Sequence, residues 1–245
     1  DILISNMPHI GTDVLRDVVK NIRNKIIDMG GEFLYNTCLT NINVSNGKIS
    51  SIVVNNDMVI ATSVLVLAIG HSARDTFSML YNRGIVMESK PFAIGVRVQH
   101  PQDVINVNQY GDNYNKTIGP ASYKLTYKAS NGRGVYSFCM CPGGYVVNAS
   151  SEEGRLAING MSYYKRDSVN ANSAIVVTVD SNDFGKHPLD GVKFQRELEE
   201  KAYLLGEGKI PIQLLRDYYK NEKSILLGKV MPVFKGDYNY VFKVY

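Results

Sequence analysis

Two cysteines stand in the run Phe138-Cys139-Met140-Cys141-Pro142-Gly143-Gly144. The pattern predicts a strand that ends in a glycine turn, and a spacing of two in a strand places Cys139 and Cys141 on the same face. Alternate strand residues are poorly placed for a disulfide, and no further metal ligand lies nearby in the sequence. One interpretation is a pair of buried packing residues. The other is that a thiol or the turn backbone contacts a bound cofactor or a substrate.

The cysteine count also bears on the cell compartment. Three cysteines, Cys38, Cys139 and Cys141, are an odd and sparse set, which is typical of a reducing environment. We therefore expect a cytoplasmic protein in which Cys139 and Cys141 are reduced and at least partly buried. The four histidines are far apart in the sequence and lack the spacing of metal ligands, so we expect no metal site.

Further candidates for contact with a substrate lie after residue 90. Arg97 stands among apolar neighbours, which makes it a candidate to bind an anionic substrate or a phosphate. An arginine that faces solvent is the commoner outcome. Met161 and Ser162 could line the wall of a pocket, although an exposed strand end fits them equally well.

The residues before the first predicted helix could hold an anion. The run from His9 through Gly11 and Thr12 to Asp13 leads directly into an amphipathic segment at 12–29. A helix begins with unpaired N–H groups and the positive end of its dipole. His9, Gly11 and Thr12 are therefore candidates to bind a cofactor, and a capped helix start is the simpler alternative.

A second candidate cofactor segment follows the apolar run 64–69. Such a run is typical of a strand buried on both faces of a parallel sheet, and ligands bind beyond the carboxyl ends of such strands. Gly70, His71, Ser72 and Arg74 would then supply donors to phosphate or ribose. The alternative is a loop with a capped helix behind it and a surface ion pair between Arg74 and Asp75. We expect this loop and the start of the first helix to border one cleft.

The elements around these residues change in character near residue 90. Before it we predict a helix, a short strand and a β-meander whose hairpin turn is Asn46-Gly47. After it, alternating runs predict a β-rich region with two helices near its end. The predicted helices are 12–29, 191–205 and 211–220, and the predicted strands are 32–35, 39–44, 48–54, 58–61, 64–69, 92–99, 123–128, 135–140, 145–149, 173–179 and 238–244.

Composition excludes several classes of protein. Hydrophobic residues make up 44% of the chain and charged residues 20%, which is typical of a folded globular protein. The net charge of +4 is mild and spread out, so we expect no nucleic-acid partner. No apolar run approaches the roughly 18 residues of a membrane-spanning helix, so we expect no membrane partner either.

Five segments, in order, resemble a known family: PHIGTD, VLAIGHSARDTF, KPFAIGVRVQHPQ, GRGVYSFCMCPGGYVV and NGMSYYKRD. They are similar to those of the uncharacterised FAD-dependent dehydrogenases, which are related to flavoproteins with an inserted β-rich substrate domain. The resemblance extends from about residue 8 to residue 205. It implies FAD as cofactor and NAD(P)H as a candidate electron donor.

The chain departs from that family in two places. It has neither the initial GxGxxG motif nor the second glycine-rich FAD segment near the end. We therefore expect an internal fragment of a longer protein, and we expect the chain alone to be colourless and inactive. A full-length gene without the glycine motif would instead favour a cofactor-free domain that binds protein or nucleic acid.

These observations predict an α/β plus α+β fold. Residues 1–90 would be a partial, Rossmann-like FAD-binding domain with a β-meander crossover, and residues 91–245 a β-rich substrate domain with helices. The function would be that of an oxidoreductase acting on a small-molecule substrate. The cofactor-side candidates are His9, Gly11, Thr12, Gly70, His71, Ser72 and Arg74, and the substrate-side candidates are Arg97, Cys139, Cys141, Met161 and Ser162.

Overall fold

A computed structural model describes residues 9–225, 228, 230–235 and 238–239 of the chain. The chain divides into two compact units. The first comprises Asp1–Ile22, Pro91–Val179 and Gln195–Tyr245, and the second comprises Arg23–Lys90 and Asp180–Phe194. The predicted division into domains 1–90 and 91–245 stays a prediction.

The first helix, α1, spans Thr12–Asp28, in agreement with the predicted helix at 12–29. Its apolar residues recur at helical spacing, and Gly30, with a φ of 88°, adopts the left-handed conformation just beyond it. None of its side chains is buried. Val19 and Ile22 are more than half exposed, so much of the apolar face of α1 is left uncovered by the described residues.

The unit that contains residues 23–90 is built on the predicted β-meander. Strands β1 (Leu39–Ser45), β2 (Lys48–Val54) and β3 (Met58–Ala61) form one antiparallel sheet. Asn46 and Gly47 both have positive φ and join Ser45 to its partner Lys48, as a type I′ hairpin turn requires. The three strands therefore confirm the prediction almost residue for residue.

Two predicted strands in the same unit are wrong. Residues 32–35 and 64–69 form no strand, and Val64 and Val66 are 74% and 82% exposed. A strand requires a neighbour to accept and donate its backbone hydrogen bonds, and no described strand pairs with either segment. The parallel Rossmann-like strand at 64–69 is thus absent. Helix α2 (Arg74–Asn82) follows this segment, in agreement with the alternative of a loop with a helix behind it.

The other unit is organised by a four-stranded antiparallel sheet in the order β4-β9-β6-β5. A second sheet has three strands in the order β11-β7-β8. Four further helices follow α2 along the chain. The strands are β4 (Phe92–Pro101), β5 (Thr126–Lys128), β6 (Gly134–Cys141), β7 (Tyr145–Asn148), β8 (Ile158–Met161), β9 (Asn170–Val179), β10 (Ile210–Pro211), β11 (Phe234–Lys235) and β12 (Tyr238–Asn239), and the helices are α3 (Gln102–Tyr110), α4 (Ser181–Phe184), α5 (Asp190–Leu205) and α6 (Leu215–Lys220).

Most elements of this β-rich region agree with prediction, with shifted ends. Strand β5 keeps only the end of the predicted run 123–128, and α6 begins four residues later than expected. Helix α3 and strand β8 were not predicted. The predicted strand 238–244 is described only at Tyr238–Asn239, where β12 pairs with β10, and the rest of it lies outside the described residues.

The register between β4, β9 and β6 decides which side chains share a face. Arg97 lies opposite Ala174, and Gln99 and Cys141 both lie opposite Asn172. Because directly opposed residues point to the same side of a sheet, Arg97, Cys141 and Asn172 share one face. Strand β9 therefore brings β4 and β6 together around these three side chains.

A β-bulge interrupts β6 at the cysteines. Phe138 pairs with Ala174 and Cys141 with Asn172, so three steps on β6 oppose two on β9. Cys139 accommodates the extra residue with a φ of 46°. The regular alternation on which the prediction of a shared face depended therefore stops at the bulge.

Candidate functional site

The guanidinium of Arg97 is held by oxygens from three strands. Its Nη1 donates to the carbonyl oxygen of Cys139 at 3.1 Å and to Oδ1 of Asn172 at 2.6 Å, and its Nη2 donates to Oδ1 of Asn159 at 3.2 Å. All of these acceptors are neutral. In the part of the chain that the structure describes, no carboxylate forms an ion pair with Arg97. The site is therefore a fixed positive charge without a counterion.

Gly160 on β8 makes room for this charge. A Cβ atom there would overlap Nη1 of Arg97 and Oδ1 of Asn172, and it would lie 2.7 Å from the sulfur of Cys141. Such contacts are closer than packed atoms tolerate. The glycine thus lets β8 lie directly over the guanidinium.

Burial governs the electrostatics of the cluster. It lowers the pKa of the Arg97 guanidinium, because desolvation penalises the charged form. It raises the pKa of the Cys141 thiol for the same reason, and the nearby Arg97 charge offsets only part of that shift. Cys141 is therefore a protonated thiol at neutral pH and does not neutralise Arg97.

The two cysteines differ in exposure. Both are free, with Cys139 exposed and Cys141 half-buried. The Cys141 thiol donates to the Cys139 carbonyl oxygen at 3.3 Å. The expectation that both side chains are partly buried is met by Cys141, whereas Cys139 is exposed because the bulge turns it out of the ladder. Their redox state in the cell stays a prediction.

Ser162 and Met161 lie at the edge of the cluster. The buried Ser162 hydroxyl donates to the carbonyl oxygen of Pro142 at 2.8 Å. Gly144 sits between Ser162 and Cys141, since a Cβ on it would lie 2.8 Å from the hydroxyl oxygen and 2.9 Å from the Cβ of Cys141. Met161 ends β8 and is paired with Tyr145. The structure thus brings Arg97, Cys139, Cys141 and Ser162 together, with Met161 adjacent.

Sequence reasoning missed Asn159 and Asn172. Asn172 is fully buried, and a signal for it existed, because it is a polar residue within a strand. The predicted strand began at residue 173, one residue too late to include it. Asn159 had no such signal, since asparagine is uncommon in strands.

The start of α1 packs on the segment that follows β8. The amide of Thr12 donates to the Ser162 carbonyl oxygen at 3.1 Å, and the ring Nε2 of His9 lies 3.0 Å from the Tyr163 carbonyl oxygen. A Cβ on Gly11 would overlap the backbone of Tyr164. These contacts describe a capped and packed helix start. A cofactor role for His9, Gly11 and Thr12 stays a prediction.

Asp13 already places a negative charge at this helix start. Its carboxylate accepts from the Tyr164 amide at 2.9 Å, and that hydrogen bond lowers the pKa of the carboxyl group below its usual value. An anionic ligand would therefore meet a like charge in the first turn of α1.

The segment from Gly70 to Arg74 lies in the other unit. Gly70 has a φ of 64° and open space around it, His71 is exposed, and the Ser72 hydroxyl lies 3.4 Å from its ring Nε2. Arg74 is only 3% exposed and begins α2. The expectation that Arg74 is a loop residue at the surface is therefore wrong. The shared cleft with His9 stays a prediction.

His100 points to the opposite face of β4 from Arg97. Its ring Nε2 lies 2.8 Å from the hydroxyl of Tyr123, and its Nδ1 is buried without a partner among the described residues. Burial lowers the pKa of the imidazole and raises the pKa of the Tyr123 phenol. Both groups are therefore neutral in the folded protein at neutral pH.

We expect His100 to make the protein less stable as the pH falls. The unfolded chain binds the proton near the ordinary histidine pKa of about 6.5, whereas the folded chain binds it only at lower pH. The stability that the neutral ring contributes is thus present above about pH 6.5 and is lost as the pH falls below it. Between pH 8 and pH 5, the melting temperature should fall more steeply for the wild-type protein than for His100→Gln. A His71→Gln control, at an exposed ring, should follow the wild-type curve, and parallel curves for all three proteins would contradict the prediction.

The described residues contain neither a candidate metal site nor a candidate membrane-spanning helix. They include no group of three histidine, cysteine or acidic side chains arranged to hold a metal ion. Among the same residues, no helix combines the length and the apolar character that crossing a membrane demands.

Comparison with known proteins covers most of the chain. A family model described as "FAD-dependent protein, C-terminal domain-like" matches residues 91–242. A protein of Clostridium beijerinckii, described as "Uncharacterized protein", is 53% identical over 245 residues, a match that covers 98% of this chain and 46% of that protein. The chain thus spans about half the length of the curated relative that it matches.

Proposed function

Because the chain belongs to the FAD-dependent protein, C-terminal domain-like family, we propose that it forms the substrate-side part of a FAD-dependent oxidoreductase. The family makes it a flavoprotein-related chain. The oxidation or reduction of a small-molecule substrate is the proposed activity. NAD(P)H is a candidate electron donor.

The observation that carries this proposal is the Arg97 cluster. The region matched by the family model contains all of the substrate-side candidates. Cys139 and Cys141 lie beside the uncompensated charge of Arg97, and Ser162 lies next to Cys141. A charged side chain held in a fixed orientation is a typical means of orienting a small ligand. Arg97 would hold and orient the substrate, and the protonated Cys141 thiol would leave the positive charge available to it.

The described residues do not by themselves fit the dinucleotide. Its pyrophosphate is usually held where a parallel strand leads through a glycine-rich loop into a helix. None of the described helices follows a strand in that way, and the strand expected at 64–69 is not formed. We therefore derive no step through the flavin. Gly70, His71 and Ser72 remain proposed contacts from this chain, and Arg74 would act from the start of α2.

Flavin content tests the proposal directly. We expect the 245-residue chain to purify without flavin absorbance, because its described part offers no pyrophosphate cradle. A longer protein that includes the chain should purify with FAD, and NAD(P)H added without oxygen should bleach the flavin if it is the donor. Absence of flavin from the longer protein, even after incubation with excess FAD, would refute the proposed function. Stoichiometric flavin on the short chain would show that our account of the cradle is wrong.

A further inference from the structure

Arg97 is a charge that the fold has enclosed without neutralising it. Its guanidinium is half-buried, and its hydrogen-bond acceptors are one carbonyl and two amide oxygens. Neutral acceptors fix the orientation of a guanidinium but leave its charge in place. Since burial of a charge without a counterion is unfavourable, a free anion that binds here would relieve that cost.

The backbone on two strands is shaped to accommodate the Arg97 side chain. Cys139 adopts a φ of 46°, a conformation that is unfavourable for a residue other than glycine. The bulge that imposes it places the Cys139 carbonyl oxygen on Nη1 of Arg97. Gly160 keeps β8 free of the Cβ that would displace the guanidinium. Two separate strands are thus shaped around one arginine.

The cluster also retains an unused hydrogen-bond donor. The guanidinium of Arg97 has its three oxygen acceptors and a contact with the sulfur of Cys141. The Oδ1 of the fully buried Asn172 accepts a hydrogen bond from Arg97, while its Nδ2 has no partner among the described residues. An orphaned amide donor beside an uncompensated guanidinium indicates that an oxygen ligand is missing.

The cluster is accessible from one side. Asn159 and Cys139, which contact the guanidinium, are both exposed, whereas Asn172 is buried beneath it. The surrounding amide and carbonyl oxygens would repel a second negative charge. A planar anion with a single charge, such as a carboxylate, therefore fits best, because it forms strong charge-assisted hydrogen bonds with a guanidinium.

We propose that Arg97 binds the carboxylate group of the substrate, in the cluster formed with Asn159, Asn172 and the Cys139 carbonyl. This inference rests on the proposed function, since it names the chemical class of the substrate for the same site. It commits to a carboxylate. A phosphate group, whether from FAD or from another ligand, is the alternative that the experiment must reject.

Calorimetric titration of the chain with benzoate tests the inference without flavin. We expect benzoate to bind, the neutral benzamide not to bind, and inorganic phosphate to bind more weakly than benzoate. Arg97→Gln should weaken benzoate binding about 10- to 100-fold, as expected for a charged hydrogen bond. Arg97→Lys should recover only part of that loss, because an ammonium group lacks the fork of the guanidinium. Arg133→Gln is the matched control. Arg133 lies just before β6, at the end of that strand away from the cysteines, and donates to the carbonyl oxygen of Thr178. This variant should bind benzoate as the wild type does.

Protection of a thiol gives a second readout that needs no variant. Benzoate should slow the alkylation of Cys139 by iodoacetamide, because Cys139 is exposed and within electrostatic reach of Arg97. Alkylation of Cys38, an exposed thiol in the other unit, should keep its rate. This arm decides the question if Arg97→Gln fails to fold.

Three results would overturn the inference: no benzoate binding, equal affinity in Arg97→Gln, or tighter binding of phosphate than of benzoate. The proposed function fails separately. A longer protein without flavin whose Arg97 binds benzoate would refute the oxidoreductase and leave the carboxylate site. A flavin-loaded protein that does not bind benzoate would refute the carboxylate site and leave the proposed oxidoreductase.

Discussion

Replacing Gly143 by alanine should destabilise the protein by about 3 kcal/mol, the largest effect that we expect from any single methyl group. Gly143 has a φ of 47°, and a Cβ on it would overlap the carbonyl group of Arg166. Its own amide donates to the Gln102 side chain at 2.8 Å, and its carbonyl oxygen accepts from the Ser168 amide at 3.2 Å. The buried glycine cannot shift without breaking these bonds. Thermal unfolding should show a melting temperature lowered by roughly 6 to 12 °C.

Gly132→Ala is the matched control for this prediction. Gly132 has a φ of 82°, and a Cβ on it would meet no atom within 4 Å, so the substitution adds backbone strain without a steric clash. It should cost about 1 kcal/mol. The difference between the two variants measures the close approach of Arg166. Equal melting temperatures would show that this approach is not required.

Gly143→Ala should also impair the Arg97 site. Gly143 lies two residues after Cys141, so a displaced turn would move the bulge that carries the Cys139 carbonyl oxygen. We expect benzoate to bind more weakly in Gly143→Ala at a temperature where the variant is still folded, and as in the wild type in Gly132→Ala. Unchanged affinity in Gly143→Ala would show that the turn does not position the bulge.

Gly95→Ala is the second substitution with a large expected effect, about 2 to 3 kcal/mol. Gly95 lies within β4 opposite Val176, and a Cβ on it would overlap the carbonyl oxygen of Ile175. The clash involves the backbone of the central strand β9, which also pairs with β6. The two strands must therefore separate, and denaturant unfolding should show the loss in free energy.

Gly134→Ala is the control for Gly95→Ala. Gly134 begins β6 in the same sheet, and a Cβ there would meet nothing within 4 Å. Its replacement should change the free energy of unfolding by less than about 0.5 kcal/mol. Because Gly95 lies two residues before Arg97, the clash should also weaken benzoate binding, which Gly134→Ala should leave intact. A neutral Gly95→Ala would show that β4 and β9 pair less closely than the structure describes.

Local patterns predicted the parts of the fold that local interactions decide. The hairpin Asn46-Gly47 joins two alternating runs, and turn geometry by itself fixes their register. Helix α1 was predicted from its helical repeat and the glycines that follow it. These elements need no distant partner to set their position in the sequence.

Patterns failed where the outcome depends on a distant partner. The apolar run 64–69 has the composition of a buried strand, but no described strand supplies its hydrogen bonds. The burial of Arg74 was missed because it depends on how α2 packs, which the sequence does not display. The bulge at Cys139 was missed because it arises from the pairing of β6 with β9, and alternation in β6 alone does not reveal it.

The sequence by itself determined the family resemblance, the β-rich character of the region after residue 90 and the choice of Arg97, Cys139, Cys141 and Ser162 as candidates. Only the tertiary structure decided that they form one site with Asn159 and Asn172. The partners of Arg97 lie 42, 62 and 75 residues away along the chain. Side-chain periodicity reports which face of a strand a residue occupies. Convergence across such separations is instead set by strand order, register and one bulge, which arise only when the strands pair.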